Sequence, residues 1–513
     1  MDGTIFLGGG GEGYAEPQQL LLRMANRHGL IAGATGTGKT ITMQVLAEGF
    51  SAAGVPVFLS DVKGDLGGMA LPGDPAGKLH EAFLKRAATI GLTDIGYRGC
   101  PVTFWDLFGA EGHPVRATVA EMGPLLLSRI LELTEAQEGV MNIAFRIADE
   151  EGLPLLDLKD LQSMLTFLGQ NARDLTLRFG TVSAASIGAI QRRLLVLEGQ
   201  GADRFLGEPA LDIRDLMALD PDGRGRVNIL QASRLMQTPR LYATFLLWLL
   251  SQLFEELPEV GDPDKPKLVF FFDEAHLLFS GAPRPLVEKV ERVARLIRSK
   301  GVGIWFVTQN PDDVPDAILA QLGNRVQHAL RAFTARDQQA LRRAAQTYRA
   351  NPRFDVEAAI REVGTGEAVT SLLEPKGAPG VVERTLVRPP ASAIGAIEPG
   401  VRAQLIAMSP VAGKYDTTID SDSAHERLAR RAEEAAKAAE AVLAQAETEK
   451  AREFANARRY EPATPARAPR STPARSSRET PAEAFAKSFA RQLGSRSGQA
   501  VVRGVLGGLF RGR

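Results

Sequence analysis

Apolar and polar positions along this chain follow two rhythms, and the changes between them lay out its elements. Gly29-Leu-Ile-Ala32 is a short apolar run ending at a glycine-rich turn, which predicts a buried strand. Ile41 to Ala53 then carries apolar residues at helical spacing, and Val55 to Asp61 predicts the next strand. Strand, loop, helix and strand make a βαβ unit, whose parallel pairing predicts a right-handed crossover. Ahead of it, Pro17 to Asn26 reads as a helical stretch.

From about Gly64 to Gly225 the helical rhythm dominates, in Leu125–Leu133, Ala136–Asp149, Leu158–Gly169 and Ser183–Glu198, with Val102–Trp105 as a strand-like exception. The strand rhythm resumes at Arg226–Leu230. It returns in Leu268–Phe272, Val302–Val307, Arg325–Ala329, Ala368–Leu373 and Gly380–Val387, with helices at Arg240–Leu257 and Pro285–Lys300 between. The reading is an α/β core of residues 1–63 and 226–395 with a mainly parallel sheet, interrupted by a largely helical insert, 64–225. Residues 396–460 read as a linker and a charged helix or coiled coil rich in Ala, Glu, Arg and Lys. Residues 461–513 read as a basic, partly disordered tail ending in an amphipathic segment.

Composition narrows the class. In 513 residues, 61 basic side chains balance 61 acidic ones, and Cys100 is the lone cysteine, so no intrachain disulfide framework exists. The start, MDGTIFLGGGGEG, has neither the basic nor the apolar region of a secretory signal. The most apolar run, Leu241 to Phe254, is too short to span a bilayer and is broken by Thr244, Ser251 and Gln252. A soluble, cytoplasmic protein with no integral membrane span is expected. Charge is uneven: Glu461–Arg513 holds ten Lys/Arg and three Asp/Glu, so the remaining body is mildly acidic. A broad nucleic-acid footprint is therefore not expected, and DNA contact would have to be local, in a pore or through the tail.

The chemistry concentrates at predicted strand ends. Gly33-Ala34-Thr35-Gly36-Thr37-Gly38-Lys39-Thr40, followed by Ile41, fits the phosphate-binding pattern G-x-x-x-x-G-K-[ST]. Backbone N–H groups would wrap the phosphates of ATP, Lys39 would reach the β- and γ-phosphates, and Thr40 would ligate Mg²⁺. Leu268–Phe272 ends in Asp273 and Glu274, where Asp273 would hold the Mg²⁺ shell and Glu274 would act as general base on water. Gln309, at the end of a third strand, could sense the γ-phosphate and orient that water. His276 reads as a structural neighbour.

The ordered segments GATGTGKT, FLSDVKGD, FFFDEAH, SKGVGIWFVTQNP, LGNRVQHAL and GTGEAVTSLLEPKG resemble the HerA-like branch of the HerA/FtsK superfamily of P-loop ATPases. More closely, the chain is similar to the HerA C-terminal-like family of bacterial proteins over about residues 1–395, with an echo in VVRGVLGGLFRGR. The resemblance implies a RecA-like ATPase core that forms a ring, usually hexameric, and couples ATP hydrolysis to moving DNA. It also implies an arginine supplied to the γ-phosphate by a neighbouring subunit. Arg298 and Arg325 are the leading candidates, with Arg295 and Arg331 beside them, and Asp61 and Lys63 match a segment that lines the site. HerA proteins carry an N-terminal β-barrel, whereas 32 residues precede the P-loop here, so that barrel is expected to be missing. Two other outputs compete with DNA movement: protein translocation or remodelling, with a partner on the C-terminal tail, and a slow nucleotide-dependent scaffold.

Overall fold

β-Branched and aromatic residues in short runs favour a pleated, doubly covered sheet, and that is how the centre of the molecule is built. The computed structural model describes residues 3–279 and 284–457. Its strands are β1 (Thr4–Gly10), β2 (Glu16–Leu21), β3 (Gly29–Ala32), β4 (Val57–Asp61), β5 (Val102–Asp106) and β6 (His113–Pro114). They continue as β7 (Val227–Gln231), β8 (Leu268–Phe272), β9 (Val302–Thr308), β10 (Asn324–Gln327), β11 (Glu367–Ser371) and β12 (Glu383–Val387). All join one sheet in the order β2-β1-β12-β11-β10-β3-β9-β8-β4-β7-β5-β6. Pairing is parallel from β10 through to β6 and antiparallel across β10, β11, β12, β1 and β2.

Parallel central strands bury both faces, so β4, β7, β8 and β9 are buried along their full length. On one face lies helix α1 (Lys39–Ala52), whose Met43, Leu46 and Phe50 join Ile5, Val57, Val269, Phe271 and Trp305 in a single core. On the other, the helices Ala335–Gln346 and Val356–Glu362 enclose a smaller cluster with Leu330, Val369 and Val382. The Phe271 and Trp305 rings stack at 5.8 Å, and a Cβ on Gly29 would fall 2.3 Å from the Trp305 ring. Gly29→Ala is therefore expected to destabilise the protein by about 1–3 kcal/mol through overpacking, read as a lower urea midpoint at unchanged slope.

Three stretches differ from the sequence expectation. Pro17 to Asn26 is not a helix: it forms most of β2 and a 3₁₀ turn, Leu22–Arg27. Proline lacks a ladder donor, and β2 is an outermost strand, where that loss is tolerated. Segment 64–225 is helical over much of its length and the expected strand at Val102–Trp105 is β5; the sequence did not anticipate β6 or the pairing of β5 with β7 along its whole length.

The composition shift near Pro399 does not end the packed unit, which runs to Ser421. Ser392 N and Oγ donate to Glu48 Oε1 at 2.8 and 2.6 Å, and Arg388 meets Glu48 Oε2 at 3.0 Å. Further on, Tyr415 is fully buried, its ring 5.4 Å from that of Trp105. Glu48 thus secures residues 388–392, and beyond Pro399 the buried Tyr415 ring, the Arg116 bond to its carbonyl and the Arg402–Glu111 pair hold the chain, none of them visible as apolar periodicity. A second unit begins at Asp422 and contains the exposed helix Ala424–Ala457, with an i,i+4 pair between Glu433 and Lys437 at 2.7 Å. The expected basic tail, 461–513, lies outside the described residues.

Candidate nucleotide site

Because β3, β9, β8 and β4 run parallel, their C-terminal ends open on one edge of the sheet, the edge where such sheets bind ligands. The loop Gly33–Gly38 leaves β3 there and turns into α1. Gly36 and Gly38 have φ values of +79° and +115°, a left-handed geometry that a side chain would strain. The loop is pinned at its base, where Gly33 N donates to Thr308 O at 3.2 Å and Ala34 N to Ala329 O at 2.8 Å. It is pinned again at its far side, where Gly366 N donates to Thr37 O at 3.0 Å. Between these anchors, the backbone N–H groups of Thr35 to Gly38 find no acceptor among the described residues. A row of unfilled donors at a helix N-terminus is a cradle for an anion.

Lys39 is buried and turns back on this loop, its Nζ 2.6 Å from Gly33 O and 3.1 Å from Ala34 O. Burial pushes its ammonium below the usual lysine range. The nearby Lys63 charge adds to this, while Glu274 and Asp273 pull the other way. A phosphate would offset that cost. Thr40 stands half-buried in the first turn of α1.

Two strands away, β8 delivers Asp273 and Glu274 to the same edge. Asp273 N donates to Ser60 Oγ at 3.0 Å, and the Tyr242 hydroxyl lies 2.8 Å from Ser60 Oγ and 3.1 Å from the Asp273 carbonyl. Burial, with the Glu274 charge beside it, pushes the Asp273 carboxyl up to about 7, against the pull of Lys63. An acid in that state fits a divalent cation, whose charge would restore the carboxylate. Thr40, in the first turn of α1, and Asp273, at the end of β8, are the residues that would hold Mg²⁺ on this edge.

Glu274 is buried and holds a left-handed φ of +49°, uncommon for a residue with a Cβ. Three side chains surround its carboxylate: Gln309 Nε2 at 3.4 Å, His276 Nδ1 at 3.3 Å and Lys63 Nζ at 3.6 Å. Gln309 follows β9, so the carboxylate and the amide come from adjacent strands. Asp61 plays a different part, accepting N–H bonds from Gly64, Asp65 and Leu66 and so shaping the turn that presents Lys63.

The arginines divide sharply. Arg325 donates to the carbonyls of Leu319 and Leu322 at 3.1 and 3.3 Å, and Arg295 pairs with Glu291. Arg331 opens onto the cleft beside its own loop, a space of about 370 Å³ shared with Ala34, Thr35, Gln309, Asn310 and Phe333. Arg298 precedes β9 and faces Asp262 at 3.7 Å. It sits at the end of the sheet opposite Gln309, and seven strand residues put it roughly 20 Å from its own P-loop.

Sequence reasoning passed over His328, which is buried directly behind the loop. Its Nδ1 lies 2.9 Å from Glu367 O and its Nε2 2.8 Å from Thr42 Oγ1, so the carbonyl selects the Nδ1–H tautomer and Thr42 donates to Nε2. Burial holds its pKa down at about 4, and the ring stays neutral. Ser60 and Tyr242 were also passed over. Each lies in an apolar run, and only the fold brings their hydroxyls to Asp273.

The model of the helicase HerA-like C-terminal family matches residues 11–513. No curated protein matches the sequence. Among solved structures, the chain is similar to the bacterial conjugative coupling protein TrwBΔN70 in an unbound form, at 14% identity, 73% coverage of this chain, 90% of that one and a TM-score of 0.46. VirB4 of Thermoanaerobacter pseudethanolicus gives 15%, 75%, 97% and 0.48 in the same measures. TrwB in complex with ADP and Mg²⁺ gives 15%, 72%, 88% and 0.46. The chain, matched over nearly its whole length, belongs to the helicase HerA-like C-terminal family of P-loop ATPases.

Proposed function

We propose that the protein is an ATP-hydrolysing motor, assembled as a homo-oligomeric, hexameric ring, that moves DNA. The observation that carries the hydrolytic reading is the buried Glu274 carboxylate in contact with Gln309, on the edge that also holds Lys39 and the unfilled N–H groups of the P-loop. Gln309 would orient a water on the γ-phosphate and Glu274 would take its proton. The water oxygen bonds to the γ-phosphorus as the bond to the β-phosphate oxygen breaks, leaving ADP and inorganic phosphate. Lys39 would offset charge on the β- and γ-phosphates. Thr40 and Asp273 would hold Mg²⁺, whose charge would add to that of Lys39.

The position of Arg298 supports the ring. An arginine roughly 20 Å from its own P-loop reaches a γ-phosphate only when another copy presents one. Arg325 is committed to backbone carbonyls, so the arrangement favours Arg298.

DNA as cargo is tested by turnover. Single- or double-stranded DNA is expected to raise ATP hydrolysis at low salt, with the stimulation fading steeply as salt rises, because phosphate contacts release counterions. Turnover indifferent to both nucleic acids at low salt would overturn that part and leave a protein cargo in its place.

A further inference from the structure

We infer that Arg86, from the segment inserted between the two halves of the core, binds the nucleotide's α-phosphate and so completes the site on the side away from Glu274. The inference rests on the nucleotide reading above and adds a ligand to it.

Arg86 lies in helix α2 (His80–Thr89), outside every sequence motif that marks the site. The fold brings it to the loop Gly364–Gly366, where its guanidinium donates to Thr365 O at 3.1 Å and Gly366 O at 3.5 Å. That loop is itself the far wall of the P-loop. Gly366 N donates to Thr37 O, and a Cβ on Gly38, the residue that caps α1, would fall 3.1 Å from Gly366 Cα. A Cβ on Gly366 would in turn fall 2.2 Å from an Arg86 nitrogen. One glycine therefore separates the guanidinium from the loop's helical end, and a bulkier residue at either position would displace one of them.

The wall is rigid for a reason visible in its contacts. Glu367 receives the Tyr14 hydroxyl at 2.5 Å, Arg384 at 2.6 and 3.1 Å, and the Gly364 N–H at 2.9 Å. Burial alone would raise the Glu367 pKa, but these donors, Arg384 first, hold it below the usual range. The direct donors to the Glu367 carboxylate are Tyr14, Arg384 and Gly364, while its charge also acts on Arg86, opposing the downward push that burial gives the guanidinium.

Arg86 is thus a half-buried guanidinium with five donors, two of them spent on carbonyls and none on a carboxylate among the described residues. The guanidinium keeps donors beyond those two carbonyls, and the loop it backs onto, through Gly366 and Thr37 O, is the phosphate cradle. Along a bound nucleotide, Lys39 and Glu274 occupy the γ end. β10 and β11 lie on the other side of β3 from β9 and β8, so Gly366 and Arg86 face the α-phosphate end.

The test compares Arg86→Ala and Arg86→Lys with the wild type for binding of ADP, ATP and pyrophosphate, the last of which fills the cradle without an α-phosphate. The expected result is a roughly tenfold loss of ADP and ATP affinity in Arg86→Ala, unchanged pyrophosphate affinity, and recovery of only part of the loss in Arg86→Lys, which restores the charge but not the fork of donors. KM for ATP should rise with kcat nearly unchanged. Equal weakening of pyrophosphate and ATP would reduce Arg86 to a prop for the loop and overturn the inference, as would unchanged affinity for all three. Failure of the wild-type protein to bind ATP at all would instead sink the nucleotide reading on which it rests.

Discussion

Glu274→Gln should cut ATP turnover by about 10²–10⁴-fold while leaving ATP affinity within a factor of a few. The amide keeps the size of the carboxylate and can still meet Gln309, but it cannot accept the proton that water must lose. Phosphate contacts would come from Lys39 and the loop, which the substitution does not touch. One further effect sharpens the test. Glu274 raises the Asp273 pKa by its charge, so its removal should ease deprotonation of Asp273 and leave Mg²⁺ binding at least as good. Binding of a fluorescent ATP analogue alongside single-turnover hydrolysis reads both quantities. Turnover within threefold of wild type would remove Glu274 from the chemistry and return attention to a water-only or scaffold role.

Arg298→Ala should lower kcat by about 10³-fold or more with ATP binding retained, the usual consequence of losing a guanidinium that meets the γ-phosphate in the transition state. Since Arg298 is too far from its own loop to act there, the two variants should rescue one another. In a mixed ring, an interface whose P-loop side is Arg298→Ala and whose arginine side is Glu274→Gln contains both intact groups. Equal mixing places that arrangement at roughly a quarter of interfaces. Recovered hydrolysis in the mixture, from two preparations that are each inactive, is the expected result. A mixture as inactive as its components would exclude the trans arrangement, and full activity of Arg298→Ala alone would exclude the residue.

The parts of the site that were legible in sequence are those whose chemistry is contiguous. Gly33 to Thr40 announces itself because one loop must carry glycines, a lysine and a hydroxyl in fixed order. Asp273 and Glu274 stand out because a run of buried residues ends abruptly in two carboxylates. His328 and Arg86 carry no such mark, since each meets the site only after the chain has returned across the sheet. The edge strand β2 was hidden by Pro17 and by glutamines that suit a helix equally well. The segment up to Ser421 was hidden because scattered polar contacts, such as Arg402 with Glu111, Arg116 with the Tyr415 carbonyl and Lys414 with Asp215, anchor it beside a single buried ring, Tyr415. Periodicity reports faces, and it is blind to such pins.

The placement of β3 between β9 and β10 also has a consequence for how the protein is made. About 270 residues separate Ala32 from Val302, so the strand that leads into the P-loop leaves the ribosome long before either flanking strand exists. At about 5–20 residues per second, synthesis leaves that strand without neighbours for some 15–55 seconds. During that interval Leu30 and Ile31 have no sheet to enter, and the nucleotide cradle cannot take shape. A nascent chain released before about residue 330 should therefore lack ATP binding entirely, however intact its P-loop sequence. Such a chain would expose an apolar strand to whatever first engages unfolded polypeptide, which makes the order of synthesis, as much as the final packing, a determinant of how much active protein a cell recovers.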